Sequence, residues 1–164
     1  MNLVDHKHPL LNKRLAEIEN PNMDELRALA DQMYEFVDTK GGAGLSANQV
    51  GIDKRIFVVK WKEYKQTFIN PVITWESDRK IVLEEGCLTF PGVFIGVKRP
   101  DGCRVSYIDY DGNKQEDQLF MGITNRIIYH EFDHMEGKFY YDHLSRMQMD
   151  RWKRKMSKKL GIKV

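Results

Sequence analysis

Tyr129-His130-Glu131-Phe132-Asp133-His134-Met135-Glu136-Gly137 is the stretch on which the reading of this chain turns. Apolar residues at helical spacing predict a helix over about Ile123–Glu136, stopped by Gly137. On that helix His130 and His134 occupy positions i and i+4 of one face, so both imidazoles can reach a single metal ion. Glu131 follows the first histidine, where its carboxylate can take a proton from a water on that metal and deliver it to a leaving amine.

A catalytic tetrahedral site needs a third protein ligand. Downstream candidates fit poorly. In the zinc-peptidase pattern H-E-x-x-H-x-x-G-x-x-H, Gly137 matches but the last position is Tyr140. Glu136, the one Glu after His134, is too close on the same helix, and Asp142 and His143 match no established spacing. Upstream, Cys87 stands in Glu85-Gly86-Cys87-Leu88-Thr89, at the end of a predicted strand and before a predicted turn at Phe90-Pro91-Gly92. A thiolate suits Zn or Fe(II), although a cysteine taken alone is more often a small buried apolar residue. Cys103, alternating in a strand with Val105, reads as that inert kind. A third feature, Gly42-Ala43-Gly44-Leu45-Ser46-Ala47-Asn48-Gln49, is rich in small residues that permit close approach of a ligand. It is not a dinucleotide fingerprint, because no strand precedes it and no third glycine follows in place.

Further out, Asn22 and Glu25 cap a helix over roughly 22–40, with Leu26, Leu29, Ala30, Met33 and Val37 on one face and Gly41-Gly42 beyond it. Arg55–Trp61, Gln66–Trp75, Ile81–Phe90 and Val93–Lys98 read as strands. Cys103–Tyr110 and Lys114–Phe120 flank the hairpin signal Asp111-Gly112-Asn113. A last helix spans about 145–160. Strands followed by helices give an α+β fold, with mixed, mainly antiparallel β structure packed around a central metal-bearing helix and a helix towards each end. Without repeats or long linkers, 1–164 reads as a single domain.

The net charge of +2 conceals an asymmetry: residues 145–164 hold eight Lys/Arg and one acid, leaving 18 basic and 23 acidic residues elsewhere. That argues against a chain-wide nucleic-acid surface and for one basic appendage. No apolar run approaches the roughly 20 residues of a membrane span. The N-terminus lacks the pattern of a secretory signal, and two cysteines are too few for a disulfide framework, so a cytoplasmic location is expected.

Taken together and in order, the three motifs resemble the peptide deformylases, which carry G-Φ-G-Φ-A-A-x-Q, E-G-C-Φ-S and Q-H-E-Φ-D-H-Φ-x-G segments (Φ, apolar). Here these read Gly42–Gln49, Glu85–Thr89 and Tyr129–Gly137. The resemblance extends to His8-Pro9-Leu10-Leu11, to Val105–Gly112 and to Leu144–Leu160, nearly the whole chain. It implies that Cys87, His130 and His134 bind a divalent metal, Fe(II) in the native enzyme with Zn or Ni as substitutes. It implies Glu131 as general base and then acid, and an oxyanion hole from the Gln49 side chain and the Leu88 backbone N–H. The substrate would be an N-formylmethionyl peptide, releasing formate. By position, Ala43, Gly44, Leu83, Ile123 and Ile127 are candidates to line the substrate pocket.

Four positions depart from the family pattern: Ser46, Thr89, Asn125 and Tyr129, the last in place of Gln. In the final helix Met149, Trp152, Met156 and Leu160 form an apolar stripe beside a basic surface of Arg151, Arg154, Lys155, Lys158 and Lys159. That surface is either a solvated face or a contact for the ribosome through RNA phosphates. A monomer without membrane contact is expected. The rival readings are a zinc peptidase with a downstream ligand, and a deformylase-like ribosome- or RNA-binding protein with an altered site.

Overall fold

Asn22 starts α1 (Met23–Lys40) by accepting the backbone N–H groups of Asp24 and Glu25, while its side-chain amide donates to Glu25. Gly41 closes the helix in the left-handed conformation. The computed structural model describes residues 1–162. The next elements are β1 (Gly44–Ser46), β2 (Ile56–Trp61), β3 (Tyr64–Glu76), β4 (Lys80–Cys87), β5 (Phe90–Pro100), β6 (Gly102–Ile108) and β7 (Lys114–Met121). Two helices follow, α2 (Gly122–Met135) and α3 (Arg146–Leu160). Five strands form one sheet in the order β1-β2-β3-β6-β7, and β4 pairs with β5 in a second. Every strand pairing among the described residues is antiparallel.

The five-stranded sheet is covered on both faces, which explains the unbroken apolar run of β2. Ile56 and Val58 face α1 with Leu26, Ala30 and Met33, while Phe57 and Val59 face α2 with Ile127, Ile128 and Tyr129. A third cluster joins Phe90, Val93 and Val97 of β5 to Trp152 and Met156 of α3. The expected stripe of α3 is therefore its buried face. Two of its lysines are engaged by the fold: Lys155 Nζ donates to the Phe94 carbonyl at 2.6 Å and Lys159 Nζ to that of Gly92 at 2.8 Å. Arg151, Arg154 and Lys158 remain exposed.

Two boundaries differ from expectation. The turn after Cys87 is Leu88-Thr89, because Cys87 pairs directly with Phe90, whose ring is drawn into the third cluster; Pro91 and Gly92 lie within β5. Strand β1 carries no β-branched residue, and its pairing with β2 alone makes it a strand. Among the described residues no helix is long and apolar enough to cross a membrane.

Candidate metal centre and substrate cavity

Helix α2 presents His130, Glu131 and His134, and the end of β4 brings Cys87 to them. Ligand atoms of Cys87, His130 and His134 all lie within 4.8 Å of one another, and the three residues are buried. Cys87 Sγ is 3.2 Å from His134 Nε2. This soft N/N/S set fits a transition metal such as Zn or Fe(II) and is unlike the all-oxygen cages of Ca or Mg. Burial opposes ionisation of Cys87, yet His134 and His130 outweigh it and hold the thiol well below its ordinary range, favouring the thiolate a metal requires.

Behind the ligands stands a buried charge cluster. His130 Nδ1 is 3.0 Å from Glu85 Oε2, which places the proton on Nδ1 and leaves Nε2 as the lone-pair nitrogen. Arg99 grips Glu85 with two bonds, Nε to Oε1 at 2.6 Å and Nη2 to Oε2 at 2.9 Å, and Arg126 Nη1 donates to Oε1 at 2.9 Å. Although burial raises it, the Glu85 carboxyl is held well below its usual range by His130 and Arg99. Arg99 Nη1 continues to Asp133 Oδ2 at 2.6 Å.

Three of the four departures have visible consequences here. The Tyr129 ring belongs to the core beneath α2 and lies 5.9 Å from the Arg99 guanidinium, a cation–π contact. Asn125 donates to the Pro100 carbonyl at 2.8 Å, tying α2 to the end of β5. Thr89 keeps the hydroxyl that serine would supply and accepts from Gln49 Nε2 at 3.2 Å. Ser46 holds Gln49 through its backbone, its N–H donating to Gln49 Oε1 at 3.0 Å, and its own hydroxyl has no partner among the described residues. So oriented, Gln49 Nε2 lies 3.4 Å from Cys87 Sγ.

A cavity of about 490 Å³ opens over these groups. Ala43, Gly44, Leu83, Ile123 and Ile127 line it, as do Gln49, Cys87, Leu88, His130 and Glu131, while His134 sits fully buried behind. Glu131 Oε2 has no partner among the described residues, and burial, partly offset by His130 and His134, pushes its carboxyl up to about 7. Sequence reading missed Trp61, Phe94 and Arg126, which also line the cavity. Arg126 was detectable: it continues the i, i+3, i+4, i+7 stripe of Ile123, Ile127 and His130. Trp61 and Phe94 left no such signal, since only the approach of β2 and β5 to one cleft brings them there.

The downstream candidates for a third ligand are engaged elsewhere. Asp142 Oδ2 accepts the Phe139 N–H at 2.8 Å, and His143 Nε2 meets Asp133 Oδ2 at 2.7 Å.

Comparisons with known proteins point to one family. The family model described as polypeptide deformylase matches residues 1–150. A peptide deformylase of Cytophaga hutchinsonii is 40% identical over 151 residues, covering 87% of this chain and 81% of that protein. Among solved structures, the peptide deformylase of Plasmodium falciparum superposes with a TM-score of 0.86 at 34% identity, covering 96% of this chain and 94% of that one. One from Synechococcus elongatus gives a TM-score of 0.87 at 30% identity, covering 99% and 90%.

Proposed function

The chain belongs to the peptide deformylase family, metallohydrolases that remove the formyl group from N-terminal methionine, and from that membership we propose a role for each residue of its site. Cys87, His130 and His134 hold one divalent ion, Fe(II) in the cell, with Zn or Ni as substitutes. When bound, such an ion acidifies water and polarises a carbonyl oxygen.

Glu131 moves the protons. Its unpartnered Oε2 takes one as water oxygen adds to the formyl carbon, then returns it to the peptide nitrogen as the C–N bond breaks, giving formate and a free amine. Burial raises this carboxyl towards the range in which both transfers are matched at neutral pH. The Gln49 amide and the Leu88 backbone N–H stabilise the negative charge that builds on the formyl oxygen. Gln49 adds no charge of its own and is held in place by Ser46 and Thr89, so little reorganisation is needed. Ala43, Gly44, Leu83, Ile123 and Ile127 receive the methionine side chain. A formyl group needs little room, and the close approach of Gly44 to Glu131 and Ile127 disfavours bulkier acyl groups.

The observation that carries this reading is the convergence of Cys87 on His130 and His134 beside a carboxylate with a free oxygen. We place the reaction on nascent chains in the cytoplasm, carried out by a monomer, with the exposed cations of α3 as the ribosome contact. Formate release from a formyl-Met peptide, measured without oxygen beside Glu131→Ala, tests the assignment. The parent should turn over while the variant binds metal and does not. Equal turnover in both would remove Glu131 from the mechanism, and cleavage of internal peptide bonds that persists in Cys87→Ala would favour a peptidase.

A further inference from the structure

We propose that His143 is a positioning residue for the metal centre, holding His130 in place through a chain of contacts from Asp133 to Arg99 to Glu85. This rests on the reading of Cys87, His130 and His134 as metal ligands.

His143 ends a short 3-10 turn, Tyr140–His143, that leans against the ligands. The Tyr140 ring lies 5.6 Å from that of His130, and the Phe139 ring just before the turn lies 5.3 Å from that of His134. His143 is the member of this wall whose side chain meets the buried charge cluster. Its Nε2 is 2.7 Å from Asp133 Oδ2, the short spacing of a donor to a carboxylate, and 3.3 Å from Arg99 Nη1. The same oxygen accepts Arg99 Nη1 at 2.6 Å. Asp133 is therefore held from two sides, by a donor from outside the ligand helix and by a buried guanidinium.

Four groups surround Arg99: the bidentate Glu85, the single oxygen of Asp133, the face of Tyr129, and His143 Nε2 itself, 3.3 Å from Nη1. Only Asp133 is itself anchored by a side chain that reaches solvent, since a third of the His143 side chain is exposed while those of Arg99 and Glu85 are 2% and 3% exposed. Loss of the His143 donor leaves Asp133 free to turn towards water. Arg99 then loses its second anchor, and the carboxylate of Glu85, which Arg99 sets and His130 Nδ1 uses, can rotate. Groups that orient a ligand from behind commonly govern metal retention.

The test uses Co(II)-loaded protein, whose visible absorption reports ligand geometry, together with the rate of Co(II) loss to a chelator. His143→Leu removes the donor, and His143→Gln offers an amide N–H at a similar reach. His143→Leu should alter the Co(II) spectrum and release the ion about tenfold faster or more, and His143→Gln should restore both while circular dichroism stays that of the parent throughout. A His143→Leu protein with the parental spectrum and release rate would overturn the proposal. So would a folded His143→Gln protein that behaves like His143→Leu, since the hydrogen bond would then not be the cause. A parent that takes up no Co(II) would instead overturn the ligand assignment itself, and this inference with it.

Discussion

Gly44 and Glu131 approach so closely that a β-carbon on Gly44 would lie 2.6 Å from Glu131 Oε1, and 2.9 Å from Ile127 Cγ2. Strand β1 thus runs against α2 at a separation only glycine permits. The carboxylate is held on one side by bare backbone. Gly44→Ala should displace Glu131 and lower kcat/KM by about 100-fold, because an error near 1 Å in a catalytic group has that order of cost. Metal content and circular dichroism should stay close to those of the parent. Unimpaired turnover would mean that Glu131 tolerates relocation and that its position is not set by β1.

Gln49 is aimed by two bonds, from Ser46 N–H to its oxygen and from its amide to Thr89. Gln49→Leu should reduce kcat by roughly 100- to 1,000-fold with KM little changed, the pattern of a donor used in the transition state. Thr89→Ala should cost far less. A Gln49→Leu enzyme that loses only substrate affinity would move Gln49 from charge stabilisation to binding.

Removing the metal should destabilise the fold. The three proposed ligands come from β4 and α2, so an ion bridging them would favour the folded state by mass action. At a free ion concentration a thousand times the dissociation constant this amounts to about 4 kcal/mol. A chain of this size should then melt about 10 °C lower after chelation. Calorimetry before and after treatment checks this, and identical melting would argue that the ion spans no folding contact.

Alkali should unfold the protein through groups far from the metal. Burial pushes the Tyr34 and Tyr107 hydroxyls and the Cys103 thiol up to about 12. Each is raised relative to the unfolded chain, so the stability it contributes is complete below the ordinary values, near 9 to 10, and is lost as pH climbs through about 12. Phenolate absorbance should therefore rise steeply together with loss of circular dichroism. Smooth ionisation of every tyrosine near pH 10 in a still-folded protein would contradict it. Cys103 should likewise resist alkylation until the chain unfolds.

Trp152 joins α3 to the centre: its Nε1 donates to Tyr140 Oη at 2.9 Å, and that hydroxyl donates to the Val93 carbonyl at 3.1 Å. Trp152→Ala should cost about 3–5 kcal/mol of stability. Trp152→Phe should recover most of the packing but not the bond. Chemical denaturation of both variants separates the two contributions, and a nearly neutral Trp152→Ala would show that α3 is not an integral part of the fold.

The parts of this protein set by its sequence are those whose physics is local. The spacing of His130, Glu131 and His134 places two imidazoles and a carboxylate on one helix whatever surrounds it, and Asn22 caps its helix through neighbouring amides. The apolar stripe of Trp152 and Met156 likewise foretells a buried face. Cys87 is different: its surroundings in the chain made it the better upstream candidate, but residue chemistry alone left it more at home in a core than at a metal, and the family resemblance tipped the balance. Tertiary structure brings it to His134, 47 residues away, when the pairing of β4 with β5 ends beside α2. The same holds for the contact from His143 to Asp133, for the cavity walls contributed by Trp61 and Phe94, and for β1, a strand only because β2 lies next to it. Periodicity and capping act over one or two turns of chain, whereas a site assembled from distant segments depends on how whole elements pack, and no local propensity encodes that.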